Sequence, residues 1–395
     1  MRSEFERVPD RHAQPNINKW RQYPPGVLPL WIADMDFRTP APVRHAVRRL
    51  LDHGVLGYER ADRTLLETVA GRLARLYDWQ VDPESILPIP GVLAGLASAL
   101  RALTSPGEGV VVQPPIFPPL WKMPRSLGRQ VLQAPLHLRR RASRLDYAVD
   151  PDSIERAVGA GARRTRAFVL CNPHNPTGRA YTRAELMAIA DAAARHDLLV
   201  LSDEIHAELQ LGENRHQPIA ALADEIAQRS VTFVGAGKTF NVPGLATAFA
   251  VIPNPRLRCR LAAELEQSGL EPGSAGLAAA RAAYAGEADD WRADMLEYLT
   301  GNRDHALRFI EVHLPRLRAA SPEATFLLWI DCRAAQQAGH IRGTPQTHFL
   351  EHAAVALTAG EDFGRGGRGF VRLNFACPRP VLQLALERMR DSLER

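Results

Sequence analysis

The chain has 395 residues, of which 46% are hydrophobic and 24% charged, and its formal net charge is +5. This length predicts two or three domains, and this composition is typical of a soluble globular protein rather than a disordered or fibrous one. No apolar run approaches the roughly 20 residues of a membrane-spanning helix, and the N-terminus MRSEFERVPDRHAQPN lacks a signal-peptide core, so we expect a cytoplasmic protein. The widely spaced cysteines indicate neither a disulfide framework nor a metal site.

Short apolar runs in the middle of the chain predict a buried parallel sheet. The runs are GVVVQ (109–113), AFVLC (167–171), LLVLS (198–202) and SVTFVG (230–235). A helix is predicted at 183–196, where Thr182 and Glu185 form a capping-box pattern. Strand, helix and strand at this spacing favour an α/β fold with a doubly wound sheet flanked by helices.

The two ends of the chain look different from this central region. Residues 1–44 are proline-rich and irregular, whereas residues from 291 begin with a long amphipathic helix and then alternate strands and helices. We therefore predict an N-terminal segment, 1–44, that packs with a small C-terminal domain, 291–395, beside a large domain, 45–290.

The densest run of basic residues is Arg139–Arg141 with Arg144. A solvated turn is favoured there over a nucleic-acid-binding surface, because no aromatic residues interleave with the charges.

Polar loops follow the predicted strands. Their sequences are PPIFPP, NPHNPTG, DEIHAE and GAGKTFN. The carboxyl ends of parallel strands line the ligand site of such sheets, so these loops predict one site that carries an amine, an acid, an amide, an imidazole and an aromatic ring.

The amine in this predicted site is Lys238. Only Lys19, Lys122 and Lys238 are lysines, so 49 − 3 = 46 of the basic residues are arginine. A lysine ammonium can lose its proton when desolvated and attack a carbonyl, which an arginine cannot do. Lys238 is therefore a candidate for forming an imine, and the alternative is an ordinary surface lysine.

The remaining loops offer partners for a pyridine cofactor. Asp203 ends a hydrophobic strand, where a carboxylate is costly unless it is paired, and a protonated pyridine nitrogen is one such partner. The alternative is a helix N-cap. Asn175 and His206 can hydrogen-bond a phenolic oxygen, although a structural role for the histidine is the alternative. The turn PIPGVLAGL (88–96) opens an apolar helix whose backbone N–H groups can bind phosphate.

The order of motifs along nearly the whole chain resembles the class I/II aminotransferase superfamily, which has fold type I and binds pyridoxal 5'-phosphate (PLP). Within that superfamily the chain is similar to the cystathionine β-lyase, or MalY/PatB-type C–S lyase, branch, of which WIADMDF is the most discriminating motif. The motifs are GVLAG, QPPIFPP, NPHNPTGR, SDEIH, GKTFNVPGL and FVRLNFACP, with PLWIADMDFRTP (29–40), DEIHAE and EDFGRGGRGFVRLNFACP (361–378) for the branch.

The resemblance implies a role for individual residues. Lys238 carries the cofactor as an imine, Asp203 pairs with its ring nitrogen, and Arg372 binds the substrate α-carboxylate through two parallel hydrogen bonds. The resemblance also implies that the backbone amides of Gly91, Val92 and Leu93 bind the PLP phosphate, that Asn175 and His206 contact the PLP phenolic oxygen, and that Phe117 stacks on the PLP ring. It places the substrate near Ala33 and Asp34. Finally, it implies that Tyr58 contacts the PLP phosphate of a neighbouring subunit. The last contact implies a homodimer with shared sites.

Three positions depart from the family pattern. Gly235 and Gly237 replace two serines, and Phe117 replaces a tyrosine. At about 1 kcal/mol for each neutral hydrogen bond, the lost hydroxyls predict cofactor retention weakened roughly 10- to 30-fold.

The expected reaction is α,β-elimination from a cysteine S-conjugate, which gives a thiol, pyruvate and ammonia. One alternative is a redirected decarboxylation or oxidative deamination in secondary metabolism, such as antibiotic biosynthesis. The others are a plain aminotransferase and a PLP-binding regulator without turnover, which the intact Lys238, Asp203 and Arg372 disfavour.

Overall fold

The computed structural model describes residues 4–7, 11, 13, 18–141, 144–161 and 164–394. The helices are α1 Asn18–Arg21, α2 Ala41–His53, α3 Arg63–Tyr77, α4 Val92–Leu103, α5 Pro118–Ser126, α6 Pro151–Gly159, α7 Arg183–Arg195, α8 Asp224–Ala227, α9 Pro255–Gln267, α10 Ser274–Tyr284, α11 Asp289–His313, α12 Arg333–Gln337, α13 Pro345–Ala353 and α14 Arg379–Leu393. The strands are β1 Leu28–Pro29, β2 Ile86–Ile89, β3 Gly109–Val112, β4 Gln130–Gln133, β5 His137–Arg141, β6 Arg144–Ala148, β7 Thr165–Cys171, β8 Leu199–Asp203, β9 Ser230–Val234, β10 Ala248–Val251, β11 Arg318–Ala320, β12 Leu327–Asp331, β13 Val355–Ala356, β14 Thr358–Ala359 and β15 Phe370–Asn374.

A seven-stranded sheet holds the four predicted strands and confirms the α/β class. Its order is β2-β10-β9-β8-β7-β3-β4, and every pair from β9 to β4 is parallel, whereas β10 is antiparallel to both of its neighbours. All residues of β3, β8 and β9 are buried, since helices cover both faces of the sheet, and this explains their uninterrupted apolar sequences.

The crossover helix α7 begins where the sequence predicts it. The Thr182 side chain accepts from the backbone N–H of Glu185, whose carboxylate accepts from the Thr182 N–H, so both halves of the capping box are present. Buried Leu186 and Ile189 pack this helix beside the sheet, and the polypeptide then enters β8. The helix thus fixes the position of β8 and, with it, the position of Asp203 at the end of that strand.

A second, six-stranded sheet follows the order β14-β15-β12-β11-β6-β5. Its strands β5 and β6 come from the middle of the chain, and β6 pairs in parallel with β11. Arg139–Arg141 therefore lie in strand β5 and Arg144 begins β6, so the expectation of a turn-like segment there was wrong. The cause is the antiparallel pairing of β5 with β6, which in turn pairs with the distant strand β11, and local composition does not reveal this second pairing.

The N-terminal segment is joined to the C-terminal part of the chain by strand pairing. Leu28 and Pro29 of β1 pair in parallel with Val355 and Ala356 of β13. The domain boundaries at residues 44 and 290 stay a prediction. Across the described ranges, no helix combines the length and the apolar character needed to cross a bilayer.

Candidate active site

The carboxyl ends of the parallel strands meet at one edge of the large sheet, as the sequence predicts. Cys171 of β7 is in register with Asp203 of β8, and the backbone N–H of Phe117 donates to the carbonyl of Asn175 at 3.0 Å. A cavity of about 290 Å³ opens at this edge. Its lining includes Gly91, Val92, Leu93, Phe117, Asp203, Gly237 and Lys238.

Lys238 lies in the turn that follows β9, with its side chain directed toward the N-terminal segment. Its Nζ donates to the carbonyl oxygen of Ala33 at 2.6 Å. Burial, with the nearby positive charge of Arg372, lowers the pKa of Lys238 to about 8, although Asp34 and Asp203 act in the opposite direction. A substantial fraction of this amine is therefore neutral near physiological pH, as a nucleophile or general base requires.

Asp203 ends β8 and is 5% exposed. Its Oδ1 accepts from the backbone N–H of Ile205 at 3.2 Å. Burial raises its pKa to about 6, and neighbouring Glu204 adds to the shift. The carboxylate is thus poorly compensated by the protein and is suited to a cationic partner in the cavity.

His206 is buried and turns its ring edge-on to Phe326, with 5.8 Å between the ring centroids. Its Nδ1 is buried and has no hydrogen-bond partner among the described residues. Burial, together with Lys238 and Arg372, holds the pKa of His206 well below its ordinary value, so the ring is neutral.

Arg372 reaches the site from β15 of the second sheet and is 4% exposed. Its Nη1 donates to Asn175 Oδ1 at 3.0 Å, and its Nη2 donates to the carbonyl of Trp31 at 3.0 Å and to Thr358 Oγ1 at 3.2 Å. No carboxylate contacts the guanidinium in the described structure, and burial lowers its pKa to about 10. A buried, unneutralised guanidinium is a favourable site for an anion such as a carboxylate.

The predicted phosphate cradle is a helix start. Gly91 has φ +98° and is the N-cap of α4, whose first residue is Val92. A residue with a side chain is strained at that φ, which accounts for the glycine. The first N–H groups of the twelve-residue helix α4 lie at the cavity beside Leu93, a suitable position for a phosphate.

The two glycines near Lys238 differ in the space around them. A Cβ on Gly235 would lie 3.0 Å from Ile205 Cδ1 and 3.1 Å from Ala248 Cβ. On Gly237 it would have only Pro243 nearby, at 3.7 Å from Cα. Gly237 therefore has room for a serine, whereas Gly235 does not without movement of its neighbours.

Tyr58 is not brought to this cavity within the single chain. It is fully exposed, and the preceding residues Val55 and Leu56 are 67% and 61% exposed. Its predicted contact requires a second subunit, and that contact stays a prediction.

Several residues that hold the site together have no signal in the sequence that marks them. Thr358 and the Trp31 carbonyl contact Arg372. Asn241, three residues after Lys238, bonds both Met35 and Phe37 through its side-chain amide. Asn241 lies in the loop that carries Lys238, but its partners Met35 and Phe37 are some 200 positions away in the sequence, and no local pattern points to them.

The comparisons with known proteins agree with this geometry. The sequence profile described as "Aminotransferase class I and II" matches residues 25–389, and the chain belongs to this family.

The chain also matches individual relatives over nearly its full length. It is 36% identical to cystathionine beta-lyase PatB of Bacillus subtilis, over 93% of this chain and 92% of that protein. Its structure superimposes on OvoB with a TM-score of 0.91 at 38% identity, covering 98% of both chains. It also superimposes on a PLP-bound C-S lyase from Staphylococcus hominis with a TM-score of 0.91 at 25% identity, covering 99% of this chain and 98% of that one. These matches confirm the expected superfamily, the C–S lyase branch and the fold type.

Proposed function

We propose that the protein is a PLP-dependent C–S lyase that cleaves the Cβ–S bond of a cysteine S-conjugate. The reaction consumes the conjugate and one water, and it releases a thiol, pyruvate and ammonium. The single observation that carries the proposal is the convergence of a partly buried amine, a buried acid and an unneutralised guanidinium on one edge of the sheet: Lys238, Asp203 and Arg372. The relatives named for cystathionine β-lyase and C–S lyase activity support it.

The residues present fit PLP. The N–H groups at the start of α4, with Gly91, Val92 and Leu93, would bind the phosphate, and Asp203 would keep the ring nitrogen protonated. The buried and unpartnered Nδ1 of His206, with the Asn175 side chain, would face the phenolic oxygen. Phe117 supplies an apolar ring face to the same cavity. When bound, PLP supplies an aldehyde that condenses with amines and a ring that accepts electrons from Cα.

The chain's own residues would bind the substrate and move its protons. Arg372 binds the α-carboxylate through two parallel hydrogen bonds. These bonds fix the plane of the carboxylate and so orient the bonds at Cα. Lys238 Nζ removes the Cα proton, for which a pKa near 8 suits a general base at neutral pH. With PLP bound, Asp203 would keep the ring nitrogen protonated, and its burial would exclude the water that weakens such an ion pair.

Incubation with cystathionine or an S-alkylcysteine tests the proposal. We expect thiol and pyruvate in equal amounts, with none formed by Lys238→Ala at equal PLP occupancy. Production of pyridoxamine phosphate, dependent on an added keto acid, would instead identify an aminotransferase. Binding of PLP without turnover of any amino acid would identify a regulatory protein.

We also propose that the substrate is a bulky cysteine S-conjugate from secondary metabolism. Gly235, Gly237 and Phe117 remove three hydroxyl groups from the surroundings of the reacting atoms, and this favours a substrate or outcome unlike that of a housekeeping enzyme. A series of S-conjugates of increasing size, with products analysed for thiol, CO₂ and aldehyde, separates elimination from decarboxylation or oxidative deamination. Preference for small conjugates would contradict this part.

A homodimer with shared sites is also proposed. The side chains of Leu51, Val55 and Leu56, which precede Tyr58, are apolar and exposed, and exposed apolar side chains close together in sequence favour burial against a second chain. Mixing Tyr58→Ala with Lys238→Ala tests the sharing, because a hybrid dimer would recover one site in which both residues are intact. A monomer in solution would refute the arrangement. The cytoplasmic location stays a prediction.

A further inference from the structure

The loop 31–37, which carries the WIADMDF motif, contacts both cations of the site through its main chain. The carbonyl of Ala33 accepts from Lys238 Nζ at 2.6 Å, and the carbonyl of Trp31 accepts from Arg372 Nη2 at 3.0 Å. The position of the loop therefore sets where the amine and the guanidinium are held.

A second lysine, Lys19, also contacts this loop. Lys19 Nζ donates to the carbonyl of Asp34 at 3.1 Å and to Asp36 Oδ2 at 3.0 Å, and it lies 3.3 Å from Asp34 Oδ1. The Lys19 side chain is 0% exposed and that of Asp36 is 1% exposed. Arg11 and Trp20 also donate to Asp36, at 2.6 and 2.9 Å from its Oδ1.

Stability alone is a weak reason for this arrangement. Taking an ammonium out of water costs several kcal/mol, and a well-packed apolar group often serves as well or better. Lys19 Nζ donates two hydrogen bonds, to the Asp34 carbonyl and to Asp36 Oδ2, and lies 3.3 Å from a third oxygen, Asp34 Oδ1, with which it forms an ion pair. Oxygens placed around one nitrogen in this way suit a compact ammonium better than the planar fork of an arginine. This explains a lysine in a chain whose basic residues are almost all arginine.

We propose that Lys19 is a positioning residue for Lys238: it fixes the loop 31–37 so that the Ala33 carbonyl holds the free amine in one orientation. The inference rests on the proposed function, because a fixed amine matters most when it removes the Cα proton. Proton transfer is sensitive to placement, and a shift of about 1 Å can lower a rate about 100-fold.

The structure predicts a separation of kinetic effects. The indole Nε1 of Trp31 donates to the main-chain carbonyl of Lys19 at 3.3 Å, a contact that a side-chain substitution retains. Arg372 also keeps its bonds to Asn175 and Thr358. Loss of the Lys19 ammonium should therefore affect kcat far more than KM.

The test is Lys19→Met in the full-length, PLP-loaded enzyme. We expect kcat for cysteine S-conjugate cleavage to fall about 10- to 100-fold, with KM changed less than about threefold. Hydrogen exchange of the amides in 31–37 should become faster. In protein stripped of PLP, the rate at which Lys238 captures added PLP, followed by visible absorbance, should fall in parallel.

Arg195→Met is the matched control, because it deletes a cation from an ion pair with Glu155 on the outer helices α6 and α7. It should leave all three measurements unchanged. Where Lys19→Met does not fold, Trp20→Phe deletes one hydrogen bond to Asp36 and should lower the same two rates about fivefold.

Two results would overturn the proposal. One is a variant with a lowered melting temperature but an unchanged kcat per folded enzyme; the other is faster loop exchange with unchanged capture of PLP by Lys238. Should the wild type cleave no cysteine conjugate, the proposed function fails, while the PLP capture rate still decides the role of Lys19.

Discussion

Restoring one hydroxyl group at Gly237 should tighten cofactor binding. Gly237 lines the cavity beside Lys238, its φ is not in the left-handed region, and an added Cβ meets only Pro243 at ordinary contact distance, 3.7 Å. A serine there would offer a donor to an anionic group at a steric cost close to zero. At about 1 kcal/mol for the hydrogen bond, Gly237→Ser should lower the Kd for PLP about fivefold.

The assay is a titration of PLP-free protein with PLP, followed by visible absorbance, for four variants. Gly237→Ala has the same Cβ without the hydroxyl and should bind PLP as the wild type does. Gly235→Ser and Gly235→Ala should both lose about 1–3 kcal/mol of folding stability, because their Cβ would lie 3.0 Å from Ile205. Equal affinities of Gly237→Ser and Gly237→Ala would refute the reasoning.

Three further predictions concern the charged groups. The pKa of Asp203, about 6, lies above its ordinary value, so the stability that this carboxyl contributes is present below about pH 4 and is lost as the pH rises through 6. PLP-free Asp203→Asn should therefore be about 1–3 kcal/mol more stable than wild type at pH 7.5 and no more stable at pH 4, measured by urea unfolding. Because only the neutral amine attacks, the rate of PLP capture by Lys238 should rise with pH and level off above about 8; a midpoint near the ordinary 10.5 would contradict the effect of burial. Arg372→Lys loses the two-pronged grip on a carboxylate and should raise KM for the amino acid about 10- to 100-fold in steady-state kinetics, whereas an unchanged KM would remove Arg372 from the binding site.

The sheet and the residues at its edge could be predicted because strands buried on both faces have continuous apolar sequences. The strands β3, β7, β8 and β9 are apolar throughout, since both faces are covered, and the polar loops after them lie at one edge by geometry alone. Lys238 was conspicuous because other lysines are so rare in this sequence.

The interactions that hold the N-terminal part against the site could not be predicted in the same way. Lys19 contacts Asp34 and Asp36 across 15 and 17 positions, and Asn241 contacts Met35 across 206. Such pairings follow from the assembled fold and not from a period in the sequence. Strand β6 escaped prediction for the same reason, because its partner β11 comes about 170 residues later.

The electrostatics of the site follow from bringing the two sheets together. The large sheet contributes Lys238 and Asp203 at its edge, and the second sheet contributes Arg372 from β15, so burial destabilises the charged form of each group. Arg372 further lowers the pKa of Lys238, whereas Asp203 raises it. An amino acid bound as a carboxylate, beside a ring that carries a proton at its nitrogen, would offer an anion to Arg372 and a cation to Asp203. The anion on Arg372 would raise the pKa of the Lys238 amine, whereas the cation beside Asp203 would lower it. In enzyme that already holds the ring, the carboxylate is the charge that the substrate adds, so substrate binding should strengthen the base.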